Sequence, residues 1–354
     1  AVVLRRVVDD VAAERRAAMI KDVLAAPVDL GGETIDISVS VGFAIFPEDT
    51  VNGIHLHDAA RYALVDAKRA GPGGLCRFTT AIGKRIQDEQ RFLSDIRRGL
   101  AEGEFVTFFQ PKIDLGSGKV MGFEALCRWD HPTRGILPPA AFLSALDSPI
   151  VGAELSDVAL KASFEAAHEL RSLGLDFGHI SINLNTQQLA KTNFEKTIDT
   201  LIAEFSVDPS QIVFEVVENV LIDDSTAVRS NLRALCHKDF VIALDDFGTG
   251  FASLNSIREP FIREIKIDRT FVMQSSSDPQ NLQIVQAIVQ MARKLNLTAV
   301  AEGIEDEETL SKLRGMGCAT GQGFVFAPAL PFEEAAEFIG RQSRIYALLE
   351  SIED

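Results

Sequence analysis

Two adjacent aspartates close an apolar run in FVIALDDFGTGFASL, Phe240–Leu254, and a glycine-punctuated loop follows at once. A buried parallel strand delivers carboxylates to the rim of an α/β fold in this way. Side by side at a strand end, Asp245 and Asp246 repel each other and lose hydration, so something cationic must sit with them. One such pair is also ordinary turn chemistry. The pattern recurs, however. Glu124 in FEALCRW, Asn183 in SINLN, Glu215 in VFEVVEN, Lys266 in EIKID, Glu302 in VAEGIE and Gln322 in GQGF all stand among apolar neighbours near strand ends. Singly, Glu302 could cap a helix, Gln322 satisfy a loop and Lys266 complete an ion pair. Jointly, five acids with Asn183 and one lysine on one rim carry too much negative charge for a dry pocket. Hard divalent cations resolve the conflict, because carboxylate and amide oxygens suit Mg²⁺, Mn²⁺ or Ca²⁺ rather than a soft metal. Adjacent aspartates that can bridge suit two ions roughly 3.5–4 Å apart, an arrangement for in-line phosphoryl displacement. An enolase-type reaction, with a metal-stabilised enediolate and a lysine base, stays open on the residues alone. The aspartate pair favours hydrolysis.

The elements that must position these groups alternate regularly from Phe105 onward. Strands are expected at Phe105–Leu115, Lys119–Trp129, His179–Asn185, Ile212–Glu218, Phe240–Phe247, Arg263–Asp268, Thr298–Glu305 and Thr320–Ala327. Helical spacing fills Glu154–Leu173, Asn193–Phe205, Thr226–Lys238, Asn281–Leu295, Glu307–Met316 and Phe332–Leu348. Eight strands with intervening helices imply a TIM-type (β/α)₈ barrel, whose C-terminal strand ends build the active site. The first two strands are joined only by GSGK, too short for a parallel crossover, so they pair antiparallel. The fold class is therefore α/β, a modified barrel with one antiparallel strand. Ahead of it, AVVL reads as a strand, Asp9–Ala26 as a helix, Thr34–Pro47 as a strand and Asp58–Ala70 as a helix. Ile86–Gly103 reads as a linker helix, dividing the chain into residues 1–80, 81–103 and 104–354.

With 51 acidic and 35 basic residues the formal charge is -16, which repels nucleic-acid polymers and anionic lipid. A small anion held by metal ions is compatible with it. Cys76, Cys127, Cys236 and Cys318 are far apart without zinc spacing and read as reduced residues of a cytosolic protein. No run is long enough to cross a bilayer. The chain opens on Ala1 inside an apolar run, so a longer parent protein, anchored upstream in a membrane or not, is expected.

FFQPKIDLGSGKVMGFEALCRWDHPTRGILPP, SINLNTQQL, FEVVEN, ALDDFGTGFASL, EIKIDRTFV, VAEGIE and GCATGQGFVFAP resemble, in order, the motifs of the EAL family of cyclic di-GMP phosphodiesterases. The resemblance implies a TIM-like barrel and hydrolysis of cyclic di-GMP to linear pGpG with Mg²⁺ or Mn²⁺, Ca²⁺ binding but inhibiting. Carried over, Glu124, Asn183, Glu215 and Asp245 hold the first metal, and Asp245 with Asp246 the second. Lys266 orients the attacking water, Glu302 is the general base and Gln322 supports the second metal. Gln110, Leu126, Arg128 and Glu305 contact the dinucleotide. Glu218 anchors the loop after Asp246, which the family links to metal binding and to a homodimer through the barrel. Departures are Phe251 and Ala252 in that loop, Asn219 after the glutamate-anchored motif, Leu146–Asp147 with Ser148–Val151, and Ala319. None removes an implied metal ligand. The alternative is a receptor that binds the dinucleotide uncut. AVVL, SVGFAIFPED and AARYALVDAKRAG resemble the C-terminal half of a GGDEF (diguanylate cyclase) domain, the second of these its central hairpin. Arg61 and Val65 replace that family's Asp and Tyr, so this part is expected to be a partial α+β module without cyclase activity.

Overall fold

The computed structural model describes all residues except 8, 30, 32–33, 147, 223–224, 249–256, 258, 276–277, 342–344, 346–348 and 350–354. The chain divides into two compact units, Ala1–Asp95 and Ile96–Asp354.

In the first unit, β1 (Val28–Asp29) pairs antiparallel with β2 (Thr34–Ile35), and β3 (Val41–Phe43) pairs in parallel with β4 (Leu75–Arg77). The helix Leu56–Arg69 buries Ala59, Ala63 and Ala67, spaced four apart on one face. These alanines and Gly42 let the helix lie directly on β3. A Cβ on Gly42 would fall 1.9 Å from the Leu64 nitrogen. Arg77 gathers Glu48, Asp49 and Asp10 at the surface of this unit. Two expectations fail here. AVVL is no strand: Val2, Val3 and Leu4 are exposed and pair with nothing among the described residues. SVGFAIFPED is no hairpin, because β3 finds its partner beyond the helix, in β4. The long helix begins at Thr80, ahead of the expected Ile86, since the Thr79 hydroxyl accepts from the Ile82 amide and Ile82 and Ile86 are both buried.

The second unit is a closed barrel. Its strands are β5 (Phe105–Asp114), β6 (Val120–His131), β8 (His179–Leu184), β9 (Ile212–Val217), β10 (Val241–Phe247), β11 (Ile262–Ile267), β12 (Thr298–Ala301) and β13 (Thr320–Gln322). Neighbours from β6 through β8 to β13 run parallel, and β5 closes the ring antiparallel to both β6 and β13. One short strand escaped the sequence reading: β7 (Gly135–Leu137) extends β6 antiparallel at Trp129–His131. The period of two sorts the side chains. Phe123, Ile180, Ile182, Phe214, Val216, Ile242, Leu244, Ile265 and Ile267 join the core under the surrounding helices. The alternate positions of the same strands are Glu124, Ser181, Asn183, Glu215, Ala243, Glu264 and Lys266, most of which meet inside the ring. Ordinary barrels fill that space with branched aliphatics; this one fills much of it with charge.

The last strands end earlier than expected, at Ala301 and Gln322. There the chain leaves the ladder, but the two rim segments stay tied. The Ile304 amide donates to the Gln322 carbonyl at 3.1 Å and the Val325 amide to the Ile304 carbonyl at 3.0 Å. A Cβ on Gly323 would sit 2.1 Å from that same carbonyl oxygen, so only glycine permits this approach.

Candidate metal centre

Adjacent residues of a regular strand point to opposite faces, so Asp245 and Asp246 could not both reach one cup without a break. The break is present. The β10–β11 register shifts between Leu244 and Phe247, and Asp246 adopts a left-handed φ of 51°. This bulge turns the second aspartate back toward the first. Carboxylate oxygens of Asp245, Asp246 and Glu302 then lie within 4.8 Å of one another. The Asp246 amide donates to Asp245 Oδ1 at 3.0 Å, which fixes the turn.

Behind these three, the Lys266 ammonium stands 2.5 Å from Glu215 Oε2, 2.6 Å from Glu302 Oε1, 3.0 Å from Asp245 Oδ1 and 3.4 Å from Glu124 Oε1. Glu124 is held on both oxygens: Asn183 donates to Oε1 at 2.9 Å and Gln322 to Oε2 at 2.7 Å. Gln322 also donates to Gln110 Oε1 at 2.9 Å. Of the residues assigned to metals from sequence, Glu124, Asn183, Glu215, Asp245 and Asp246 thus share one network with Lys266, Glu302 and Gln322.

Burial and crowding set the protonation. Burial pushes the Glu302 carboxyl up to about 8, with Asp245 and Glu124 adding to the effect and Lys266 opposing it. Burial likewise raises Asp246 to about 6, helped by the charges of Asp245 and Asp268. Glu124 is raised by burial against the pull of Lys266. Glu215 goes the other way. Burial disfavours its charge, but the Lys112 and Lys266 ammonium groups outweigh this and hold it down at about 2.

The network fits hard divalent cations. Its outward donors are oxygens, and the Gln322 Oε1 atom is buried without a hydrogen-bond partner. Six carboxyl groups (Glu124, Glu215, Asp245, Asp246, Glu264 and Glu302) face two lysines, so acids outnumber ammonium groups as expected, and the excess is met in part by the upward shift of Glu302 and Glu124. The expectation of a single lysine is corrected, however. Lys112 is a second one, fully buried, which the sequence reading missed along with Glu264 and Asp268. A cue was present in the alternation: Lys112 follows Gln110, and Glu264 precedes Lys266, by two residues. Asp268 caps the helix Arg269–Gln274 through the Thr270 amide, and its position beside Asp246 could not be read from spacing.

The residues assigned to substrate are less tightly gathered. Gln110 donates to the Ala327 carbonyl at 3.2 Å while accepting from Gln322. Arg128 is half-buried over the Phe108 ring, 5.7 Å from its centroid, and Leu126 is partly buried on the same strand. Glu305 is exposed beyond β12. Glu218 opens the helix Glu218–Ile222 at the end of β9. The loop it was expected to anchor, with Phe251 and Ala252, lies outside the described residues, as does Asp147.

A model of the EAL domain matches residues 93–329. The chain is 32% identical over 315 residues to the bifunctional diguanylate cyclase/cyclic di-GMP phosphodiesterase MucR of Pseudomonas aeruginosa, covering 88% of this chain and 45% of that protein. It is 32% identical over 246 residues to the cyclic di-GMP phosphodiesterase RocR of the same organism, covering 70% of this chain and 62% of that one. It therefore spans about half the length of the relatives it matches. Among solved structures, a MucR phosphodiesterase in complex with c-di-GMP aligns with a TM-score of 0.65 and 32% identity, over 69% of this chain and 99% of that chain. On the strength of the match over residues 93–329, the chain belongs to the EAL domain family.

Proposed function

We propose that this chain hydrolyses one phosphodiester of cyclic di-GMP, releasing linear pGpG and lowering the messenger in bacterial signalling and biofilm control. The observation that carries the reading is the convergence of Asp245, Asp246 and Glu302 oxygens beside Glu124 and Glu215 at the strand ends of the barrel. Two Mg²⁺ or Mn²⁺ ions would be held by Glu124, Asn183, Glu215 and Asp245, and by Asp245 with Asp246. When bound, such ions polarise the phosphoryl oxygens and acidify water. The chain's own groups do the rest. Lys266 orients the attacking water and stabilises charge beside Glu302, and Glu302 takes the proton in its ionised form, which the positive charge of bound cations would favour over the protonated carboxyl. Arg128 offers a fork of donors to a phosphate, while Gln110, Leu126 and Glu305 hold the dinucleotide. Gln322 supports the second metal position, and Glu218 anchors the loop that follows Asp246. Ca²⁺, with longer and looser coordination, is expected to bind and inhibit.

The first unit reads as a degenerate GGDEF-like module at residues 1–80, followed by a linker at 81–103 and the barrel at 104–354. In support, the match to bifunctional MucR covers 88% of this chain and so reaches well ahead of residue 93. A cytosolic location suits the free cysteines. No described helix is long and apolar enough to cross a membrane. A homodimer through the barrel belongs to the same reading.

Incubation with cyclic di-GMP and Mn²⁺, followed by chromatography, tests it. pGpG should accumulate and should cease to form when the metal is chelated. Retention of the dinucleotide without any product over hours would leave a receptor instead.

A further inference from the structure

Beneath the metal centre lies a second polar layer that the proposed chemistry does not use. Lys112 enters it from β5, the antiparallel strand, with no exposed surface. Its ammonium donates to Ser181 Oγ at 2.7 Å, Glu215 Oε1 at 2.8 Å and Glu264 Oε1 at 3.0 Å. A lysine has three donors, and each one here has its own acceptor on a different strand. Lys266 takes the other oxygen of Glu215 at 2.5 Å. The Glu215 carboxylate is thus clamped between two ammonium groups, one on the side of the centre and one beneath it. Glu264 supplies the negative charge that lets Lys112 stay buried, and the pair adds no net charge to the site.

We propose that Lys112, balanced by Glu264, is a positioning residue for metal binding: it fixes the rotation of the Glu215 carboxylate from below, so that the face turned to the metal centre is set before a cation arrives. Groups that orient a metal ligand from behind typically change metal affinity by about 10- to 100-fold. Removing Lys112 alone would strand Glu264 as an unpaired buried charge and would also change the local field. The informative variant therefore removes both charges together. Lys112→Met with Glu264→Leu keeps the net charge and removes Glu264 together with its partner, while Glu215 retains the Lys266 ammonium as its counter-charge.

The inference rests on the reading of Glu215 as a metal ligand, and the experiment separates the two. Free Mn²⁺ is followed by its electron paramagnetic resonance signal during titration of the full chain, with no substrate present. Glu215→Gln should weaken Mn²⁺ binding; if it does not, the reading of the site fails and the inference falls with it. Given that loss, Lys112→Met/Glu264→Leu, in which Glu215 Oε1 and Ser181 Oγ lose a donor, should melt below the parent but still fold cooperatively, and bind Mn²⁺ about 10- to 100-fold more weakly. At saturating Mn²⁺ the KM for cyclic di-GMP should stay near the parental value. Parental Mn²⁺ affinity in a folded double variant would overturn the proposal and leave the pair as packing. Should that variant not fold, Lys112→Gln/Glu264→Gln serves in its place: glutamine is shorter than lysine and carries no charge to set against Glu215. Unchanged Mn²⁺ binding there would overturn the proposal equally.

Discussion

Glu124 accepts two amide donors and stands 3.4 Å from the Lys266 ammonium, so its carboxylate has little freedom to turn away from a cation. Glu124→Ala should lower turnover by more than about a hundredfold, since losing a ligand costs more than losing the group that orients one; activity near the parental level would remove Glu124 from the metal set. His179 gives a prediction on stability. Burial pushes its imidazole down to about 4, with the Lys112 charge adding to the effect, and its Nε2 has no hydrogen-bond partner. The folded state thus keeps the ring neutral while the unfolded chain protonates near its ordinary value of 6.5. The contribution is intact above that value and is lost as the pH falls from about 6.5 towards 4, by up to roughly 3 kcal/mol. Urea midpoints of the metal-free protein measured across this range should fall for the parent, and the slope should flatten in His179→Gln.

At the scale of elements, the rim segments after β12 and β13 depend on one close approach. Gly323→Val would push a side chain into the Ile304 backbone and separate the loop carrying Glu302 and Glu305 from Gln322. A loss of about 1–3 kcal/mol in stability is expected from the overpacking, together with reduced turnover, measured by thermal melting and by pGpG release. The barrel and its antiparallel first strand could be read from the sequence because strand spacing and the short GSGK link are local signals. The bulge at Asp246 could not: two aspartates in a row are compatible with a solvated turn, and only the left-handed φ brings both to one cup. Lys112 escaped for a related reason. One lysine in FFQPKIDL looks like a surface residue until the ring closes and β5 shows which face is the inside. β7 escaped because three residues between a turn and a proline pair give too short a pattern to count.

For the molecule as a whole, a formal charge of -16 opposes the approach of an anionic dinucleotide. At saturating Mn²⁺, kcat/KM should therefore rise severalfold as monovalent salt is raised from about 0.01 to 0.15 M, over which the screening length shortens from about 30 to 8 Å. A fall would mean that local positive charge at the site dominates the encounter. Substituting Ca²⁺ should retain a thermal shift on binding while pGpG formation stops; full turnover in Ca²⁺ would contradict the metal assignment.

β5 is the first barrel strand to be synthesised, and it is zipped to both its immediate successor and the last strand of the ring. It also brings Lys112, the counter-charge for acids borne on two strands across the lumen. Until β5 docks, Glu264 lacks its ammonium partner and Glu215 keeps only that of Lys266, so a half-assembled ring carries poorly compensated negative charge along its axis. Geometric closure and the pairing of Glu264 are therefore a single event. Partly formed barrels are penalised from within, which favours an all-or-none transition for a ring whose ends are far apart in the chain.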